Sequence, residues 1–395
     1  MNQLIKALLL SLTILVSTSC QIHQQPSVLI SSDEALFADH YFANEIFEPE
    51  PPEQIFYLPE ATETAIDDII LNHKTTQERT KAILALIFTG IDGKRIIYRN
   101  TATYTAAETL NNARANCLSL SILAYSLAKR AAMQVNFQDV KIPEYWVSDD
   151  NQSWLNGHVN VRILHSRLNN AVSGYELLGE DIVVDFEPSV KQRFDTENID
   201  KKRIIAMFYN NKAAEAVSNG NKSRAYAYYK AAIISDPSFA VSWSNLGILY
   251  RKNELLDLAE KAYKKSLQLN PNSVNAMANL VLLYRHTQRD HEADILQQKV
   301  DAARKTNPYY FVMLGNEAFN QNKLYDALKY FEKSLRLDRK NHEAYFGLAK
   351  SHTALQQIDK AEYYLRQAKR VSPFSEDQER YSRKLELLST FARAH

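Results

Sequence analysis

Trp243-Ser244-Asn245-Leu246-Gly247-Ile248-Leu249-Tyr250 is followed by Ala259, Tyr263 and Pro271, and the same slots recur at steps of 34 residues. The early aromatic or apolar slot holds Tyr209, Trp243, Met277, Phe311 and Tyr345. A small residue stands at Ala225, Ala259, Ala293, Ala327 and Ala361, and a larger one four places on at Tyr229, Tyr263, Gln297, Phe331 and Leu365. Pro237, Pro271 and Pro373 close repeats. Self-similarity at this period marks a stack of helix pairs, because one pair cannot bury its apolar face alone. Five copies fall at 206–239, 240–273, 274–307, 308–341 and 342–375, within an array at 201–375. The third is the weakest, with Gln297 where a large apolar residue belongs, and the polar segment 376–395 reads as a capping helix.

The pattern Trp-x-x-Leu-Gly-x-x-Tyr, then Ala-x-x-x-Tyr, then Pro resembles the tetratricopeptide repeat (TPR). That resemblance implies an all-α solenoid whose concave groove holds peptides or partner proteins. Asn245, Asn279 and Asn316 fall on first helices and are candidates to line the groove; ordinary solvated surface is the competing assignment. Nothing in the array suggests catalysis.

Composition bounds the rest. A chain of 395 residues implies two or three domains. Lys+Arg (47) balances Asp+Glu (46), which leaves no electrostatic footprint for nucleic acid. Nine glycines favour a helix-rich chain, and two cysteines, Cys20 and Cys117, cannot build a disulfide framework. No His/Cys/carboxylate cluster has metal-ligand spacing, so neither metal nor cofactor is expected.

Lys6, the apolar run Ala7 to Val16 and Ser17-Thr18-Ser19 have the form of a signal peptide over 1–19, too short to span a bilayer. Small residues ending at Cys20 resemble a bacterial lipobox, although Ser17 stands where an apolar residue is usual. The resemblance implies lipidation of Cys20 and a membrane anchor, and Gln21 after it favours the outer membrane with the protein facing the periplasm. Ordinary secretion is the alternative. Residues 20–60 are acidic, carry Pro51-Pro52 and read as a tether.

Between 61 and 200 the texture is helical first and then stranded, an α+β pattern. Thr75 to Glu78 and Thr105 to Glu108 have capping-box form. Asn116 is a good N-cap for a largely apolar helix running to about Ala132, with Cys117 in its first turn. Val135–Val140, His158–Leu164 and Ile182–Phe186 read as strands, joined by Gly174–Leu178. Pro143 to Asn156, with Trp146 and Trp154, reads as a loop whose tryptophans pack over the sheet, with substrate binding as the alternative.

A thiol at a helix N-terminus is favoured as thiolate. An imidazole can pair with it and pass a proton to the leaving group, and a carboxylate can hold that imidazole in one tautomer. The order Cys117, His158, Asp185 suits this chemistry, with His165 and Asp181 as competitors.

Asn116-Cys117-Leu118-Ser119-Leu120-Ser121, then Gly157-His158-Val159-Asn160-Val161 and Val184-Asp185-Phe186-Glu187-Pro188, resemble the bacterial transglutaminase-like branch of the cysteine-protease superfamily. The resemblance covers about 125 residues, from Thr64 to Ser189, with Ala115 and Val159-Asn160 departing from the commonest pattern. It implies a transglutaminase-like domain with a papain-like core. It also implies Cys117 as nucleophile, His158 as proton carrier and Asp185 as its orienter, acting on peptide or amide bonds. Two functions follow from the whole chain. One is an envelope enzyme whose array recruits a protein substrate; the other is a non-catalytic scaffold in which the α+β domain only binds partners.

Overall fold

The computed structural model describes residues 34–43, 47–89, 93–99, 102–149, 152–164, 181–186, 194–372 and 375–394. The segment 1–19 with Cys20, His165 and the strand expected over Gly174–Leu178 lie outside the described residues. Two units are distinguished, 1–37 and 38–395, and the described part of the first contains one 3-10 turn, Glu34–Leu36.

In the second unit short helices come first: α1 (Asp39–Phe42), α2 (Pro52–Ile55), α3 (Glu60–Asn72) and α4 (Thr76–Thr89). Thr75 and Glu78 cap α4 reciprocally, each backbone N–H donating to the other side chain. Next come β1 (Ile97–Tyr98), α5 (Ala106–Asn112), β2 (Arg114–Ala115) and α6 (Cys117–Arg130). Thr105 and Glu108 form the second capping box. Helix α6 is apolar on most sides because it is enclosed: it packs against β3 (Gln134–Asp149), β4 (Gln152–Leu164), α3, α4 and α5, and buries Leu118, Leu120, Ile122, Leu123 and Leu127.

Strands β3 and β4, with β5 (Ile182–Val184) and β6 (Thr196–Ile199), make a four-stranded antiparallel sheet in the order β5-β4-β3-β6. The loop expected at 143–156 is instead a hairpin arm. Tyr145 pairs with Asn156, and pairing continues to Asp149 with Gln152. Strand-forming residues override the turn signal of Pro143, which falls in a bulge where ladder hydrogen bonds are not required.

The array is five helix pairs and a cap. They are α7 (Lys201–Ser218) with α8 (Lys222–Ser235), α9 (Ala240–Lys252) with α10 (Leu256–Leu269), and α11 (Val274–His286) with α12 (Asp290–Arg304). Then come α13 (Pro308–Asn320) with α14 (Leu324–Leu337), α15 (His342–Ala354) with α16 (Ile358–Val371), and finally α17 (Ser375–Ala394). The five repeat alanines are fully buried, as are Trp243, Tyr263 and Phe331. Gln297 instead donates to Asp301 (2.7 Å), so the third repeat lacks its large apolar plug.

The part of the acidic segment that follows residue 37 packs on the first repeats rather than hanging as a tether. Asp39 pairs with Lys230 (2.7 Å) and accepts from Tyr226 (2.8 Å). The Phe42 ring stacks on Tyr226 with centroids 4.5 Å apart, and Glu50 accepts from Tyr228 (2.8 Å). The segment's aromatics and acids find tyrosine partners nearly 190 residues away. Among the described residues no helix is long and apolar enough to cross a membrane.

Candidate active site

The first turn of α6 is fixed by its own cap and by the chain before it. Asn116 Oδ1 accepts from Ser119 N (2.9 Å), and its Nδ2 donates to Thr103 Oγ1 (2.8 Å). Ser119 Oγ accepts from Tyr104 N (2.8 Å), and Asn116 N donates to Ala102 O (3.0 Å). Ala113, with φ at 48°, turns the chain from α5 toward this cap in the left-handed region, a strained conformation for alanine. Residues 102–105 and the helix start therefore brace each other, and Cys117, a free and buried cysteine, follows as the first helical residue.

Strand β4 brings its inner end alongside. Ser121 Oγ lies 3.4 Å from Val159 O, and Cys117 Sγ lies 3.9 Å from Gly157 O. His158 is 2% exposed. Its Nε2 sits 2.9 and 3.0 Å from the two carboxylate oxygens of Asp185, at the end of β5. An ionised carboxylate only accepts, so Nε2 carries the proton. Nδ1 is buried without a hydrogen-bond partner, on a strand whose preceding residue, Gly157, meets the Cys117 sulfur. Burial pulls the imidazole toward its neutral form. The hydrogen bond to Asp185, with the Cys117 sulfur and the Asp185 charge nearby, outweighs burial and pushes its pKa up to about 10. The ring thus favours its charged form, which is the form a thiolate–imidazolium pair requires.

The competing aspartate has another role: Asp181 accepts from Arg162 Nε (2.8 Å) and lies 2.6 Å from its Nη2. Among the described residues no three His, Cys, Asp or Glu side chains are grouped to hold a metal ion.

Two of the three asparagines proposed for the groove serve the repeats themselves. Asn245 donates to Asn210 (3.0 Å), and Asn279 donates to the carbonyl of Asn275 (3.0 Å). Asn316 accepts from Lys350 (3.3 Å) and so belongs to a cluster that single-sequence reading passed over. Lys350 Nζ, Arg380 Cζ and Lys384 Nζ lie 5.4, 5.1 and 5.7 Å from the centre of the Phe346 ring, and Lys350 also faces Phe319 at 4.9 Å. Burial holds the Lys350 amine below its ordinary pKa; Glu343 opposes this, and Arg380 and Lys384 add to it. In sequence these cations look like ordinary charges on three helix turns, and only the stacking of α15 on α17 gathers them.

Comparison with known proteins matches parts of the C-terminal half. Tetratricopeptide-repeat family descriptions match residues 240–273 and 312–376. Anaphase-promoting complex subunit 3 of Schizosaccharomyces pombe is 26% identical over 151 residues, which is 38% of this chain and 23% of that protein. The Photosystem I assembly protein Ycf3 of Prochlorococcus marinus is 29% identical over 97 residues, 24% of this chain and 56% of that one. The chain spans about a quarter or less of the length of the first such relatives. Among solved structures, YrrB, described as a TPR protein with an unusual peptide-binding site, is 20% identical, covers 45% of this chain and 92% of its own, and has a TM-score of 0.25. PilW, described as a widely conserved type IV pilus biogenesis factor, is 19% identical over 48% of this chain and 88% of its own, at a TM-score of 0.29. The C-terminal region is an all-helical TPR solenoid, with the family matched at 240–273 and 312–376, and TPR repeats typically bind protein or peptide partners.

Proposed function

We propose that this chain is a transglutaminase-like acyl-transfer enzyme, exported and anchored through Cys20 to the outer membrane facing the periplasm, whose array recruits its protein substrate. The single observation that carries the reading is the chain from Cys117 through His158 to Asp185, closed by contacts of 2.9 and 3.0 Å at its carboxylate end. In this scheme the Cys117 thiolate attacks the carbonyl carbon of a peptide or side-chain amide. N–H groups of the first turn of α6 face the oxyanion. His158 gives its proton to the departing amine, leaving a thioester on Cys117. Water or a second amine then attacks the thioester and yields its proton to His158. The acid or new amide leaves, and the thiolate is restored. Asp185 keeps Nε2 protonated throughout. The cations around Phe346 suit a substrate segment rich in carboxylates.

The test is turnover of an N-acylated p-nitrophenyl ester by the full chain. A nitrophenol burst matching the protein concentration, followed by steady release, is expected. Both should vanish in Cys117→Ser, and the steady rate should fall about 100-fold or more in His158→Ala. Equal rates in wild type and Cys117→Ser would refute the enzyme. The burial of both groups, 5% exposed for Cys117 and 2% for His158, favours a second reading, a closed domain that only binds partners. That reading predicts no burst at all. Lipidation is tested separately by the intact mass of the mature protein, which should begin at Cys20 and carry acyl chains.

A further inference from the structure

The β3–β4 hairpin belongs both to the thiol site and to the array. At its inner end His158 pairs with Val140; further out Tyr145 pairs with Asn156. Between these registers β3 spends residues 141–144 against the single residue Gly157. A bulge of that size takes the strand out of the ladder, and its course must be set by something other than the sheet. Gly157 is also the residue whose carbonyl meets Cys117 Sγ, and it immediately precedes His158.

Both ends of the bulge are held. Lys141 N donates to Asp195 O (2.9 Å), and its amine pairs with Asp139 (2.7 Å) and Glu197 (2.9 Å), all within the α+β domain. Glu144, at the other end, is held by the array. Asn307 Nδ2 donates to the Glu144 carbonyl (2.7 Å), and Arg304 Nε lies 3.5 Å from its carboxylate. The backbone N–H of Asn275, in the first turn of α11, favours the charged form of that carboxylate against the burial that raises its pKa. Asn307 is at the same time the N-cap of α13, accepting from Tyr309 N (2.9 Å), and β3 packs against α13. The third and fourth repeats therefore converge on one residue of the arm.

We infer that Glu144 is a positioning residue: through it the third and fourth repeats fix the bulge opposite Gly157 and so hold Gly157 and His158 against Cys117. The array is then a structural part of the thiol site as well as a recruiter. The mechanical coupling stands by itself; its effect on reactivity rests on the acyl-transfer reading.

The test uses the full chain as wild type, Glu144→Ala, Glu144→Gln and Asn307→Ala. It reads hydrogen exchange at the amides of 156–159 and the rate of Cys117 alkylation by iodoacetamide from pH 5 to 9. Glu144→Ala and Asn307→Ala act from different elements, yet both should speed that exchange about tenfold. Both should also slow alkylation at pH 6 about tenfold while changing it little at pH 9, where any thiol is largely ionised. Glu144→Gln keeps an acceptor for Arg304 and should stay within about threefold of wild type on both readouts. Should Asn307→Ala unfold for want of its helix cap, Glu144→Ala carries the test, since α11 keeps its own N-cap in Ser273. Unchanged exchange at 156–159 in Glu144→Ala overturns the inference. If the wild-type thiol itself shows an ordinary pH profile, the acyl-transfer reading fails and the exchange readout still decides the coupling.

Discussion

Phe331 is fully buried between two glycines. A β-carbon built at Gly347 would lie 2.3 Å from its ring, and one at Gly315 would lie 2.5 Å away. Carbon atoms in contact rest about 3.5–4.0 Å apart. The ring cannot swing aside, because Val312, Ala318, Ala327, Ala344 and Leu348 close around it. Gly347→Ala should therefore overpack this junction. Overpacking costs ~1–3 kcal/mol, and a clash of more than 1 Å against an immobile ring belongs near the top of that range. Alanine returns ~1 kcal/mol through its helix propensity, so the net loss is about 2 kcal/mol. Urea unfolding of the full chain should show it, with exchange quickened over 308–371. Phe331→Leu removes the obstructing ring edge, so the double variant should be less destabilised than the sum of the two single variants. A Gly347→Ala protein as stable as wild type, or strict additivity with Phe331→Leu, would refute the claim that these glycines exist for helix approach.

Other outcomes follow from the site and the groove. Asn116→Ala should lower stability by ~1–2 kcal/mol through loss of the α6 cap, read as a thermal midpoint, with Asn116→Ser recovering most of it; an unchanged midpoint would show that the cap does not hold the helix start. His158 has a folded pKa of about 10 against 6.5 unfolded. The folded state thus binds the extra proton between those values, and the stability it confers is complete below pH 6.5 and fades as pH rises toward 10. The difference in unfolding free energy between wild type and His158→Ala should shrink over that window; a difference that grows would reverse the sign. A fluorescein-labelled glutamate-rich peptide should bind about tenfold more weakly to the Lys350→Ala, Lys384→Ala double variant. Its glutamine counterpart should bind poorly to both proteins, and equal binding of the two peptides would remove the charge argument.

What could be read from sequence was local or periodic. The array is legible because burial repeats at fixed slots, so Ala259 and Tyr263 predict Ala327 and Phe331. The start of α6 is legible because an N-cap acts within one turn. The hairpin arm was hidden by Pro143, which signals a break when the bulge around it cannot be foreseen. Strand β6, Thr196-Glu-Asn-Ile199, lies at the sheet edge and shows no apolar alternation to read. Glu144 with Arg304 and Asp39 with Lys230 are single pairs across 160 and 191 residues, and no spacing rule reaches that far. The approach of His158 and Asp185 to Cys117 lies between these cases. Each strand is readable, but their meeting depends on β4 pairing with β5 in the register that sets Val161 opposite Val184.

The pH dependence of Cys117 alkylation in wild type and His158→Ala tests the account most directly. Asp185 and the Cys117 sulfur favour the charged ring against burial. Removing a charged ring from beside the sulfur should slow alkylation at pH 6 about tenfold or more. The account predicts a wild-type rate that persists to pH 6 and collapses there in His158→Ala. A wild-type thiol that reacts only above pH 8, indistinguishable from His158→Ala, would contradict it.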